Sequence, residues 1–180
     1  MDRMWRRLCP AAGASYRTAP APLTNHAAFA EALWSAVTPR TRALFISHVT
    51  SPTALILPVA ELCRRARERG IITIVDGAHA PGQIPVDLAA IGADFYAANA
   101  HKWLCAPKGA AFLHARPEAQ RRLDPLAISW GDAGFAVTGS AFLDELQWTG
   151  TRDLSASQVS IQTGIANETL TASGAQASDA

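Results

Sequence analysis

The sequence predicts an α/β fold, with a mainly parallel sheet flanked by helices. Strand-like and helix-like segments alternate along the chain, as they do where each helix connects two parallel strands. The run Ile71–Val75 is β-branched throughout and apolar except for Thr73, which is typical of a strand covered on both faces. At 180 residues and 49% hydrophobic, the chain can bury one substantial core, most simply as one domain.

The first forty residues predict two helices and one strand. Residues 2–9 predict a short helix, and residues 14–18 predict a strand. Asn25 is placed to cap a helix that runs to about Val37, because its side chain can accept a hydrogen bond from a first-turn N–H. The spacing of three apolar residues predicts one buried face on this helix: Phe29, Leu33 and Ala36.

The central segment predicts a strand, a helix and then the strand Ile71–Val75. Residues 43–46 form a short apolar run that predicts a buried strand. Pro58 suits the first turn of the following helix, and Gly70 is well placed to end it. An apolar stripe at helical spacing predicts the face that this helix buries: Val59, Leu62, Cys63 and Ala66.

Three further elements complete the predicted sheet. A short helical segment near residues 86–91 precedes a strand over residues 94–98, and residues 109–114 predict another strand. The turn around Pro107-Lys108-Gly109 is short enough for a hairpin, so the last two strands need not be parallel.

The small net charge argues against binding to nucleic acid or membranes through bulk electrostatic attraction. Net charge is +1, so no bulk field favours nucleic acid or an acidic membrane. The one dense basic cluster lies late in a predicted helix, where we expect a solvated face: Arg64, Arg65, Arg67 and Arg69. The start lacks the apolar stretch of a signal peptide, and no apolar run approaches the roughly 20 residues that span a bilayer. Together with three cysteines that lack metal-like spacing, these features predict a cytoplasmic protein without a metal site.

The rarity and the position of the lysines indicate which chemistry the site can perform. Lys102 and Lys108 are the only lysines among 16 basic residues. Lys102 follows one predicted strand and Asp76 follows another, and ligands of open α/β sheets bind at the carboxyl ends of the strands. A lysine amine can form a Schiff base and a carboxylate can hold a pyridinium nitrogen protonated, so the pair predicts all or part of a pyridoxal-phosphate site. A helix-capping aspartate and a loop lysine are the structural alternatives.

Four ordered motifs carry a resemblance to a known family. They are Ile46–Thr53, Val75–His79, Asn99–Leu104 and Trp148–Asp153. Their order and composition resemble class V aminotransferase-like enzymes, which are pyridoxal-phosphate proteins of fold type I. The Lys-Trp-Leu and Trp-Thr-Gly-Thr-Arg-Asp versions are most similar to the isopenicillin N epimerase-like branch. The resemblance covers roughly residues 1–155 and implies the partial large domain of such an enzyme.

The resemblance implies a role for each site residue. Lys102 matches the lysine that forms the Schiff base, and Asp76 matches the aspartate that pairs with the pyridine nitrogen. His79 and Ser51 occupy positions near the phenolic oxygen of the cofactor, although Ser51 is equally a turn residue before Pro52. Because such an aspartate keeps the pyridine ring protonated, the ring can accept electrons from the substrate Cα.

The remaining predicted contacts are to the phosphate. Asn99 and His101 match polar residues beside the lysine that help to bind it. Gly150 and Thr151 resemble a pair that reaches the phosphate across a dimer interface, which implies a homodimer. Lys108 is interpreted as structural. Cys105 is not assigned the thiolate role of desulfurases, whose cysteine lies on a later loop, and is expected to be a small buried hydrophobe.

Members of this family are longer, so the chain looks like a truncated member. The resemblance implies that a phosphate-binding Gly-rich turn, a ring-stacking residue and a carboxylate-binding arginine lie outside it. Residues 156–180 are rich in small polar residues and predict an unrelated, disordered tail. The implied reaction is at Cα of an amino acid, with epimerisation first and aminotransferase or lyase chemistry open. A weakly active remnant or an interaction module is also open, whereas the segment 77–82 has too few glycines for a nucleotide-binding loop.

Overall fold

The computed structural model describes residues 1–20, 25–126, 128, 131 and 138–147. The chain divides into two compact units, Met1–Thr41 and Arg42–Ala180, and the second contains the sheet. The predicted boundary near residue 155 and the predicted tail lie outside the described residues and stay predictions. No helix among the described residues is long and apolar enough to cross a membrane.

The first unit contains helix α1 (Asp2–Ala11) and helix α2 (His26–Ser35). Asn25 caps α2 as predicted, because its Oδ1 accepts a hydrogen bond of 2.8 Å from the N–H of Ala28. The strand predicted at residues 14–18 is wrong, since this segment is irregular. Its aromatic residue has a helical partner instead: the Arg6 guanidinium lies 5.5 Å from the centre of the Tyr16 ring.

The second unit is built on a four-stranded sheet. The strands are β1 (Ala43–Ser47), β2 (Ile72–Asp76), β3 (Phe95–Asn99) and β4 (Ala111–Ala115), in that spatial order. The first three are parallel, and β4 pairs antiparallel with β3. The predicted mainly parallel sheet and the terminal hairpin are therefore both confirmed.

Two helices connect the parallel strands. Helix α3 (Val59–Glu68) contacts β1 and β2, and the four residues of the predicted stripe are the ones that it buries. Helix α4 (Leu88–Ile91) is capped by Asp87, whose Oδ1 accepts a hydrogen bond of 2.9 Å from the N–H of Ala90. The basic face of α3 is not wholly solvated, because Arg67 Nη2 donates to the carbonyl of Gly92.

One face of the sheet packs against two short helices that follow β4 in the chain. A buried cluster joins β3 and β4 to helix α5 (Pro117–Gln120), with Phe142 of helix α6 (Ala141–Gln147) packed against it. Its fully buried members are Phe95, Ala115 and Ala119. Ile72 and Ile74 of β2 are half-buried against this cluster, while Thr73 and Val75 are buried on the opposite face. The β-branched run therefore has cover on both faces, as predicted.

A carboxylate joins the amino ends of β2 and β3. Asp94 Oδ2 accepts from the backbone N–H of Thr73 at 2.8 Å and from its hydroxyl at 3.0 Å. Asp94 Oδ1 accepts from Arg116 Nη2 at 2.6 Å. Burial alone would raise the pKa of Asp94, but the Arg116 and Thr73 hydrogen bonds outweigh it and lower that pKa. These contacts hold the two strands in register at the end opposite the site.

We expect Asp94→Ala to lower the free energy of unfolding by at least about 2 kcal/mol at pH 7, because hydrogen bonds to a charged group contribute roughly 1.5–3 kcal/mol each. Urea unfolding measures this change. Glu68→Gln is the matched control, since Glu68 pairs with Arg64 on an exposed helix surface and should change stability by less than about 0.5 kcal/mol.

The Asp94 contribution should also depend on pH. A folded-state pKa below the unfolded value means that the stabilisation is complete above the unfolded pKa of about 3.9 and is lost as pH falls through the folded pKa. The difference in unfolding free energy between the parent and Asp94→Ala should therefore shrink below about pH 4. A difference that stays constant from pH 7 to pH 3 would contradict this assignment.

Candidate functional site

The carboxyl ends of the three parallel strands meet at one edge of the sheet. Ser47 at the end of β1 pairs with Asp76 at the end of β2, and Asp76 pairs with Ala97 in β3. The loops that leave these strands carry His48, His79 and Lys102. Strands β2 and β3 are neighbours in the sheet, so the predicted carboxylate and lysine follow adjacent strands.

Asp76 is half-buried and already oriented by the backbone. Its Oδ1 accepts a hydrogen bond of 3.0 Å from the N–H of Ala78, which turns the chain directly after β2. Among the described residues, no hydrogen bond occupies its second carboxylate oxygen. That oxygen can accept a hydrogen bond from a charged donor, which would be a short and strong one.

A buried pair of side chains supports the turn after Asp76. Tyr96 is fully buried in β3, and its hydroxyl lies 2.8 Å from Nδ1 of His48. Burial, and secondarily the charge of Asp76, raises the pKa of Tyr96, and burial lowers the pKa of His48. Both side chains are therefore neutral near pH 7. A Cβ on Gly77 would overlap the Tyr96 ring, so the backbone at Gly77 rests directly on that ring.

Lys102 and His79 contact each other. Lys102 Nζ lies 3.1 Å from His79 Nε2, although the two residues come from loops after different strands. The next residue, Trp103, donates from its indole Nε1 to His79 Nδ1 at 3.2 Å. Lys102 and His79, each predicted to lie in the cofactor site, are thus in direct contact, and the same ring also contacts an indole to which no role was assigned from the sequence.

Asn99 and His101 form a second hydrogen-bonded pair. His101 Nδ1 lies 2.9 Å from the carbonyl of Ala110, which can only accept, so Nδ1 carries a proton. In the neutral ring, Nε2 then accepts from Asn99 Nδ2, which lies 3.2 Å away. Both ring nitrogens of His101 are therefore engaged within the chain. The amide of Asn99 has a second N–H, so Asn99 is better placed than His101 for the predicted role of phosphate donor, which stays a prediction.

The Lys102 loop is held by a close backbone contact. Gly82 has φ +87°, and a Cβ there would overlap the carbonyl group of Trp103 and approach the N–H of Leu104. The loop then turns at Cys105, which has φ +55° and donates its N–H to the carbonyl of Lys102 at 3.2 Å. The prediction that Cys105 is buried is wrong: this left-handed turn leaves its side chain exposed.

Ser51 is not joined to these residues. It is exposed in the turn after β1, where hydrogen bonds run from Thr50 to Thr53 and Leu55. Within the described residues, no hydrogen bond links its side chain to His79 or Lys102. Lys108 is exposed in the turn before β4. Gly150 and Thr151 lie outside the described residues, so their predicted role stays a prediction.

The sequence comparisons identify the family of this chain. The model of the family described as aminotransferase class-V matches residues 3–148. The chain belongs to this family. It is 49% identical to isopenicillin N epimerase of Streptomyces clavuligerus over 128 residues, which cover 70% of the chain and 32% of that enzyme. The same-named enzyme of Amycolatopsis lactamdurans is 43% identical, with 78% of the chain and 37% of the enzyme covered.

Other relatives carry a different activity in their names. L-cysteine desulfhydrase of Arabidopsis thaliana is 36% identical, with 66% of the chain and 25% of that protein covered. The chain spans about a third of the length of the two epimerases and a quarter of that desulfhydrase. Membership of the family, predicted from the four motifs, is confirmed, and none of these relatives is covered over most of its length.

Solved structures confirm the partial fold type I domain. The cystine C-S lyase C-DES, in complex with its product cysteine persulfide, matches with a TM-score of 0.58 and 31% identity, covering 66% of the chain and 32% of C-DES. A C-DES mutant with glycine covalently linked to the pyridoxal-phosphate cofactor matches with a TM-score of 0.62 and 27% identity, covering 71% of the chain and 34% of C-DES. Members of the family bind pyridoxal phosphate, as predicted.

The side chains at this edge fit that cofactor. A part-buried amine can bond to its aldehyde carbon, and an oriented carboxylate oxygen can accept from its protonated ring nitrogen. The His79 ring contacts the amine, and the Asn99 amide supplies a neutral donor at the end of β3. These residues fit the part of the site that would contact the aldehyde carbon and the ring nitrogen of the cofactor, which we call the Schiff-base side.

We expect Gly82→Ala to destabilise the second unit more than Gly109→Ala does. Both glycines have a similar left-handed backbone, with φ +87° and φ +93°, so the conformational strain of about 1–2 kcal/mol is shared. Only at Gly82 does the added methyl group meet backbone atoms, whereas Gly109 has nothing within 4 Å. Urea unfolding measures both variants, and equal losses would contradict the close packing of this loop.

Proposed function

We propose that this chain forms the Schiff-base side of a pyridoxal-phosphate site in an enzyme that acts at Cα of an amino acid. The observation that carries the proposal is the 3.1 Å contact between Lys102 and His79, on the loops that follow the adjacent strands β2 and β3, in a family whose members use this cofactor. Lys102 would hold the cofactor covalently through Nζ. Asp76 would accept from the ring nitrogen, His79 would lie near the phenolic oxygen, and Asn99 would donate to the phosphate.

The cofactor, when bound, supplies an electron sink for negative charge at Cα. Asp76 keeps its free carboxylate oxygen aimed from a fixed turn, so little reorganisation is needed to hold a protonated nitrogen there. Lys102, when its amine is free, can take a proton from Cα and return it. His79 keeps its imidazole in contact with that amine and orients it.

Epimerisation is the reaction that we favour. The two relatives named isopenicillin N epimerase are 49% and 43% identical to this chain, above the 36–40% of the relatives named as L-cysteine desulfhydrases. Inversion requires removal of the Cα proton on one face and its return on the other. Lys102 is the candidate base for one face, and a second base would have to act on the opposite face.

A C–S lyase activity is the second candidate. It is supported by the relative named L-cysteine desulfhydrase and by the likeness to C-DES. The two reactions differ in their products, so purified protein with the cofactor should be incubated with amino acids in D₂O. Deuterium at Cα together with D-amino acid supports epimerisation, whereas sulfide from cysteine supports the lyase.

Two parts of the proposal concern the whole protein. A homodimer is proposed because the role given to Gly150 and Thr151 requires a partner subunit. A cytoplasmic location is proposed from the sequence alone.

We expect the parent chain, mixed with pyridoxal phosphate, to show a visible Schiff-base absorption band that Lys102→Ala loses. Lys108→Ala is the matched control, because it removes the only other lysine and should keep the band. Borohydride reduction followed by peptide mass spectrometry then locates the label. Labelling of Lys108 in place of Lys102, or no band in a folded parent, would reject the proposed site.

Asp76→Asn should weaken cofactor binding by about tenfold or more, since a charge-assisted hydrogen bond contributes roughly 1.5–3 kcal/mol. A spectroscopic titration with pyridoxal phosphate measures this change. Asp87→Asn serves as the control, because Asp87 caps α4 and should leave the affinity unchanged. Equal affinities of Asp76→Asn and the parent would remove Asp76 from the site.

A further inference from the structure

Two consecutive side chains bracket one imidazole ring. Lys102 Nζ lies 3.1 Å from Nε2 of His79, and Trp103 Nε1 lies 3.2 Å from Nδ1 of the same ring. The two ring nitrogens are therefore both engaged, each by a residue of the same loop. Rotating the ring by half a turn would place carbon atoms at both contacts and lose both hydrogen bonds.

The indole determines where the proton of His79 lies. An indole N–H is a donor only, so Nδ1 must accept and cannot carry a hydrogen. A neutral imidazole carries one hydrogen, which is then on Nε2. An imidazolium is excluded from this arrangement, because it would present a second donor to the indole N–H.

The hydrogen on Nε2 fixes the direction of the hydrogen bond with Lys102. An Nε2–H can only donate, and an ammonium has no lone pair to accept it. An ammonium could donate to Nε2 only if that nitrogen had no hydrogen, which would leave the ring without any proton. The 3.1 Å contact is therefore consistent with a single assignment, in which Nε2–H donates to the neutral amine of Lys102.

We propose that Trp103 is a positioning residue: its indole N–H sets the tautomer of His79, so that the Nε2–H of His79 is aimed at the lone pair of the Lys102 amine. Only the neutral amine is a nucleophile towards an aldehyde. The use of this amine rests on the proposed function, but the tautomer of His79 and the direction of its hydrogen bond to Lys102 do not.

The surroundings of Trp103 fit a positioning role better than a packing role. Its side chain is 51% exposed, so the ring contributes little to the core. Its backbone is held by the contact with Gly82, which places the indole without help from the ring itself. Replacing Trp103 by Phe should therefore remove the donor and leave the fold intact.

Nitrogen-15 NMR of the cofactor-free chain, with labelled histidine, tests the tautomer directly. The long-range spectrum should show His79 as a neutral ring with its hydrogen on Nε2, assigned by the signal that His79→Gln loses. Trp103→Phe should populate the other tautomer or the imidazolium, and Trp34→Phe, in the first unit, should change nothing. An Nδ1–H or imidazolium pattern in the parent overturns the proposal, as does an unchanged pattern in Trp103→Phe.

A second measurement reports on the lysine without the cofactor. Brief reductive methylation with formaldehyde and cyanoborohydride, which reduces the imine that formaldehyde forms with the amine, is analysed by peptide mass spectrometry. It gives the extent of modification of Lys102 relative to Lys108 in the same molecule. We expect Trp103→Phe to lower this ratio by about fivefold, the factor that corresponds to the loss of one hydrogen bond of ~1 kcal/mol. An unchanged ratio overturns the proposal, whether or not the chain binds pyridoxal phosphate.

Discussion

The parallel pairing of β2 with β3 is the constraint on which the site depends. Parallel strands end at the same edge of a sheet, so the loops after Asp76 and Asn99 leave the sheet side by side. The contact between His79 and Lys102 follows from this placement, although the two residues are 23 positions apart. Asp94 supports the same pairing from the opposite end of the strands, through its hydrogen bonds to Thr73. Strand register and site geometry are thus set by one pair of strands.

Much of this fold could be predicted from local sequence, because its signals are local. The stripe from Val59 to Ala66 and the cap at Asn25 each involve residues within two turns of one helix. The strand predicted around Tyr16 failed because a strand requires a partner, and the composition of residues 14–18 does not show whether one exists. Cys105 was misplaced for a similar reason, since a left-handed turn without glycine leaves no signal in the sequence.

Some residues of the candidate site could also be predicted from the sequence, and others could not. Asp76 and Lys102 could be predicted because their residue types carry the chemistry and their positions follow strands. Trp103 was quoted within a motif and given no role, because its partner lies on another loop. Tyr96 and His48 were missed too, although a tyrosine in a buried strand requires a partner for its hydroxyl and gives that much warning. The sequence could not show that both ring nitrogens of His101 are already engaged. One of them contacts the carbonyl of Ala110, a backbone atom about which composition says nothing.

The contact between Gly77 and the Tyr96 ring restricts the order in which substitutions can accumulate at this site during evolution. The ring occupies the space that any side chain at position 77 would need, so position 77 can gain even a methyl group only after position 96 has become smaller. A smaller residue at 96 would first leave His48 without its phenol partner and open a cavity beneath the turn after Asp76. Each single step is therefore unfavourable, and the two positions should be inherited together as a unit.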